Sequence, residues 1–168
     1  MRKEITNILI YFVAYFVFLI VANSLYSFSY WPLLAGGFVG LLFPTFDHLL
    51  HIFALFPQEL TSQRVLNLVR YKQYKEAIFL IYDTSEERKN LMFHTTLFQI
   101  IFAILTFWVV SSSGSLFARG LVLSYFLSLT LFNLKKFVNK EIFFIDENNT
   151  RIYFALQVGL LFVFGLLI

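Results

Sequence analysis

From Ile5 to Phe46 the chain carries no Asp, Glu, Lys or Arg. Built as helix, these 42 residues would reach about 63 Å, twice a bilayer core of ~30 Å. The run therefore predicts two crossings joined by one turn. The turn falls at Asn23-Ser24-Leu25-Tyr26-Ser27-Phe28-Ser29-Tyr30-Trp31-Pro32, where the aromatic pair suits an interface and Pro32 suits the first turn of a new helix. A cleaved signal peptide is the rival reading of the start, with Met1-Arg2-Lys3 as its basic region. The apolar part is long for that, and Ala22-Asn23-Ser24 makes a poor cleavage site.

A second uncharged run from Asn90 to Ala118 holds one crossing and ends in Ser111-Ser112-Ser113-Gly114-Ser115. A third, Gly120 to Leu134, is long enough if Arg119 snorkels to the interface. The last runs from Ile152 to Ile168. The pattern predicts an all-α fold, a polytopic membrane helix bundle occupying residues 1–168 as a single integral membrane domain. Its crossings fall at roughly 6–24, 32–54, 88–111, 115–134 and 151–168, with a cytoplasmic segment over 57–87. Within that segment, residues 58–84 predict an interfacial helix, with Leu60, Val65, Leu66, Val69 and Ala77 to Ile81 set among basic residues. Glu141 to Phe154 reads as a short β-hairpin turning at Asp146-Glu147-Asn148-Asn149.

Composition supports the class. The chain is 59% hydrophobic and 14% charged, against roughly 25% charged in soluble domains, so a water-facing coat cannot be assembled from it. With no cysteine, disulfide scaffolds and thiolate metal sites are excluded. The net charge of +3 does not point to nucleic acid, because the basic residues sort by side. With the N-terminus inside, twelve of the thirteen Lys and Arg fall in the cytoplasm and only Arg119 falls outside. The expected location is the cell (inner) membrane, multi-pass, with the N-terminus cytoplasmic and the C-terminus outside. The lipid bilayer is the expected partner and nucleic acid is not.

Candidate chemistry sits where the second crossing leaves the bilayer. That crossing starts near Leu33, and the fourteen apolar residues from there to Phe46 reach only about 21 Å. The helix must continue to about Ile52, which puts Asp47, His48 and His51 inside the cytoplasmic leaflet, where ionisable groups face a bundle interior or a wet cavity. Asp47 and His51 are four apart and His48 and His51 three apart, so both pairs share a helix face. Imidazoles and a carboxylate so placed suit a divalent metal ion, Zn²⁺ among the candidates. In the next crossing, Thr84-Ser85-Glu86-Glu87 fits a capping box, and His94 then lies one turn inside at the depth of Asp47 and His48. Glu87, Asn90 and His94 form one stripe. The candidate metal ligands are thus Asp47, His48, His51 and His94, with Glu87 as a candidate general base. Against this stands a structural account: interfacial histidines, a packing His94, a Glu87 that only caps a helix. Gly36-Gly37 and Gly40 give a Gly-x-x-x-Gly spacing that reads as helix packing, as do Ser124, Ser128 and Asn133.

The segment Gly40-Leu41-Leu42-Phe43-Pro44-Thr45-Phe46-Asp47-His48 resembles the "L-L-P-D-x-D-H" signature of the small metal-dependent hydrolases of the LexA-binding, inner-membrane-associated type. Lys89-Asn90-Leu91-Met92-Phe93-His94-Thr95 stands where that family carries "H-R-G-x-T-H-S". Asp47, His48 and His94 match family positions. Thr45 stands for the first Asp, Lys89 for the first His of the second motif, and no His or Asp occupies the fourth crossing. The resemblance implies a bundle of four or five crossings and a metal-dependent hydrolase site on the cytoplasmic side. Such a site suits an amphiphilic, lipid-like substrate, whose anionic head the basic segment 64–75 would attract. The alternative is a non-enzymatic membrane scaffold in which the same Asp and His groups only pack helices.

Overall fold

The computed structural model describes residues 2–84, 95–138 and 147–168. The described residues are all-α, with no strand among them. Helix α1 spans Arg2–Ala22, α2 Trp31–Leu50, α3 Leu60–Arg70, α4 Tyr74–Asp83, α5 Thr96–Ser112, α6 Leu116–Val138 and α7 Glu147–Leu166. A 3₁₀ turn, Phe28–Tyr30, leads into α2, and a π-helical turn, His51–Leu55, continues it.

The helix ends follow local chemistry. Ser24 and Lys72 take left-handed φ values of 54° and 60°. After α1, Leu25 N–H donates to the Ile20 carbonyl and Ser24 N–H to that of Val21. After α3, Gln73 N–H donates to Leu68 and Lys72 N–H to Val69. This is the six-to-one and five-to-two pairing that closes a helix on a left-handed residue, here without glycine. The closure at Lys72 corrects the expected single interfacial helix over 58–84: it is two helices, α3 and α4, folded on each other. Together with the π turn they bury Ile52, Val65, Ala77 and Ile81 as a small core. Their other side exposes Leu60, Tyr71, Tyr74, Ile78 and Phe79 alongside exposed Arg64, Arg70, Lys72 and Lys75.

The expected break around Asn23–Pro32 is where α1 gives way to α2, with Pro32 in the first turn of α2. The expected hairpin is corrected: Glu147 to Phe154 is the start of α7, and 141–146 lie outside the described residues. The helical assignment buries Thr150 and lets Tyr153 and Gln157 meet the neighbouring helices, which a surface hairpin would not do. The expected fourth crossing extends to Val138 and carries Lys135 and Lys136 in its last turn, where cations complement the helix dipole. Lys136 Nζ stands 4.6 Å over the Phe132 ring. Thr95 caps α5 by accepting the Phe98 N–H at 3.4 Å. The expected Thr84–Glu87 capping box has only Thr84 among the described residues, its hydroxyl donating back to Leu80.

Helix α6 is the centre of the bundle. Its Gly120 lies against the Leu33 backbone of α2, while Gly36 and Gly40 of α2 lie against the Phe117 and Leu121 carbonyls of α6. A Cβ at any of the three would collide with backbone, so small residues set this close approach. The pairings run in step, 33 with 120 and 40 with 124, so α2 and α6 are parallel. Asn133 meets Gln157, and Phe126 meets Phe164, so α7 is antiparallel to α6. Gln99 meets Asn133 and Phe102 meets Tyr125, so α5 is antiparallel to α6 too. Tyr15 donates to the Leu161 carbonyl at 2.8 Å and Asn23 to that of Gly165 at 2.8 Å, which sets α1 parallel to α7. Helices α1, α5 and α7 therefore point one way, and α2 and α6 the other.

Two helices, α6 and the Asn149–Leu166 part of α7, are long and apolar enough to cross a membrane. Shorter apolar stretches occur at Ile8–Ala22, Phe28–Phe43 and Thr96–Ser112.

Candidate functional site

Leu33, Gly36, Gly40, Phe43 and Asp47 recur at three- and four-residue spacing, so they lie along one face of α2. The glycines seat that face on α6. Asp47 prolongs the same stripe and is wholly buried, with 0% exposure. One turn earlier, the Phe43 ring packs on the Tyr125 ring of α6 at 5.3 Å between centroids. His51, four residues on, opens the π turn and is 1% exposed. The Phe56 N–H reaches back five residues to the His51 carbonyl at 2.9 Å, and the Phe56 ring covers the imidazole at 4.8 Å between centroids. Wide turns of this kind recur at functional sites.

Among the described residues, a carboxylate stands near the imidazole. Glu59 Oε2 stands 3.9 Å from His51 Nδ1, beyond hydrogen-bond length. His51 Nδ1 is buried without a hydrogen-bond partner. Glu59 is 44% exposed and belongs to the turn before α3. Sequence reasoning did not single it out; its place eight residues after His51, beyond a Pro57 turn, gives no periodic signal.

Of the expected ligands the structure thus places Asp47 and His51 inward at one end of α2. The His48 side chain, Glu87, Asn90 and His94 lie outside what the structure describes. Among the described residues no three His, Cys, Asp or Glu side chains gather closely enough to hold a metal ion. The donor types that are present, a buried imidazole nitrogen with no hydrogen-bond partner and a carboxylate 3.9 Å from it, are those a divalent ion takes.

A second polar cluster joins α5, α6 and α7. Asn133 Nδ2 donates to Gln99 Oε1 and Gln157 Oε1, each at 2.6 Å. Gln99 Nε2 donates to Asn133 Oδ1 at 3.3 Å, and the Tyr153 hydroxyl to Gln99 Oε1 at 2.7 Å. Gln99, Asn133 and Gln157 are all buried. Asn133 was legible as a packing group. Gln99 and Gln157 were missed, although each is a lone amide in an uncharged run and so marks a buried partner.

Compared with known proteins, the chain matches no family model, no curated protein and no solved structure.

Proposed function

We propose that the chain is a five-crossing integral membrane protein, N-terminus cytoplasmic, C-terminus outside, with a metal-dependent hydrolase site at its cytoplasmic end. The alternating directions of α1, α2, α5, α6 and α7 support the crossings. The observation that carries the site is the burial of Asp47 and His51 toward the bundle, with His51 Nδ1 lacking a hydrogen-bond partner. Asp47, His48, His51 and His94 are the proposed ligands, and Glu87 the proposed base. A divalent ion there would supply a water of lowered pKa, hence a nucleophile near neutral pH. Arg64, Arg70, Lys72 and Lys75, exposed on the α3–α4 pair, favour an amphiphilic substrate with an anionic head.

The scaffold reading has one observation in its favour: the Gln99–Asn133–Gln157–Tyr153 cluster joins three helices by hydrogen bonds. Elemental analysis of protein purified in detergent separates the two. Stoichiometric metal in the wild type, lost in His51→Ala and in a His48→Ala/His94→Ala pair, supports the hydrolase. A metal-free wild type leaves the scaffold.

A further inference from the structure

The two helices of the α3–α4 pair have unlike outer faces. Past Leu60, the exposed positions within α3 are polar: Gln63, Arg64, Asn67 and Arg70. On α4, Ala77 and Ile81 turn inward to the small core, yet the outer side is apolar as well. Tyr74, Ile78 and Phe79 are 57%, 56% and 59% exposed. Tyr74 and Ile78 are four apart, as are Lys75 and Phe79, so the two pairs lie side by side on that face. Glu76 and Asp83, seven apart, form a separate stripe beyond Phe79. The turn before α4 supplies positive charge. Every residue of Arg70-Tyr71-Lys72-Gln73-Tyr74-Lys75 is exposed, so three cations alternate with two tyrosines at the tip of the pair. Among the described residues no carboxylate pairs with Arg70, Lys72 or Lys75.

We propose that α4 docks its Tyr74–Ile78–Phe79 face into the headgroup layer of an anionic bilayer, with Arg70, Lys72 and Lys75 on the lipid phosphates and α3 on the water side. Charge and shape together select this occupant. An acidic protein would match the cations and leave the Ile78 and Phe79 side chains unmatched. A second copy seated face to face would match the apolar side and bring like charges together. An anionic headgroup layer takes both: tyrosine rings rest at that depth, and lysine and arginine stems lie along apolar surface with their charges at the phosphates. The inference rests on the membrane reading given above and is independent of the metal site. It is narrower than an interfacial helix over 58–84, since one helix of the pair enters and its entry depends on lipid charge. Each cation at such a surface strengthens binding by about five-fold.

The test places a fluorophore on single cysteines of the full chain, which has none of its own, and quenches it with spin-labelled lipid. Ile78→Cys reports on α4 and Asn67→Cys on α3. Ile104→Cys, at a position 66% exposed on α5, reports whether the bundle sits in the bilayer at all. Nanodiscs are made of phosphatidylcholine alone or of an equal mixture with phosphatidylglycerol. Expected is strong quenching at Ile78→Cys in the mixture and weak quenching in phosphatidylcholine, with Asn67→Cys unquenched in both. Adding Arg70→Gln, Lys72→Gln and Lys75→Gln to Ile78→Cys should lower the docked fraction by about five-fold per cation. Raised salt should do the same without those substitutions, because it screens exposed charges. Equal quenching at Ile78→Cys in both lipids, or none in either, overturns the inference and, with Ile104→Cys quenched, leaves the membrane reading standing. Quenching at Asn67→Cys as strong as at Ile78→Cys also overturns it. An unquenched Ile104→Cys overturns the membrane reading and the inference together.

Discussion

Gly120 of α6 rests directly on the backbone of Leu33 of α2, with no room for a side chain between the two helices. Gly36 answers it from the other side, against the carbonyl of Phe117. This reciprocal contact lets α2 and α6 run parallel at close range, and it holds Asp47, further along the same face of α2, against α6. Gly120→Ala or Gly36→Ala should therefore cost about 1–3 kcal/mol of stability, since backbone must move to admit the methyl. Gly159→Ala, at a position with open space around it, should be neutral or stabilising by up to about 1 kcal/mol. Denaturation in mixed micelles checks the contrast.

Asn133 holds α5 and α7 to α6 at once. Hydrogen bonds between membrane helices are worth about 0.6 kcal/mol on average and up to about 1.7 kcal/mol. Asn133→Ala breaks the links to Gln99 and Gln157 together, so an overall loss of about 2 kcal/mol is expected. A double-mutant cycle with Gln157→Ala should return a coupling of about 0.6–1.7 kcal/mol. Strict additivity would show that the bond contributes nothing.

His51 carries a buried nitrogen with no hydrogen-bond partner. If the ring is there for a ligand, His51→Phe should melt no lower than wild type in the absence of metal, because an apolar ring of similar size removes an unpaired polar atom. The same variant should lose stoichiometric metal. Glu59→Gln, on a residue 44% exposed, should leave the metal-free stability within about 0.5 kcal/mol of wild type. A drop in metal affinity in that variant would place the Glu59 carboxylate at the site.

The chain has no cysteine, so single-cysteine variants report orientation without background. Tyr26→Cys and Ser115→Cys, at exposed positions at one end of the bundle, should react with an impermeant thiol reagent from outside intact cells. Gln63→Cys and Tyr71→Cys, on or just after α3, should react only after permeabilisation. The opposite pattern would invert the proposed topology.

Helices α1, α2, α5, α6 and α7 could be read along the chain because each coincides largely with a run free of charged residues. The turn at Asn23–Pro32 was legible from its polar and proline content. The division of 58–84 into α3 and α4 was not, because Lys72 closes α3 in a left-handed conformation that sequence readers expect of glycine. The expected hairpin over 141–154 failed in its second half for a related reason. A stretch such as Thr150-Arg151-Ile152-Tyr153-Phe154 looks like a strand by side-chain type, and its contacts with α5 and α6 make it helix.

By itself the sequence determined the class of secondary structure: charge sparsity and unbroken apolar runs leave an all-α chain, two of whose helices are long and apolar enough to cross a membrane, with ionisable groups near one end of its second helix. Only the tertiary structure decided which polar groups meet. Asn133 finds Gln99 and Gln157 across sequence separations of 34 and 24 residues. Periodicity along one helix tells which residues share a face. Which other helix that face meets depends on where small residues such as Gly36, Gly40 and Gly120 allow two backbones to touch.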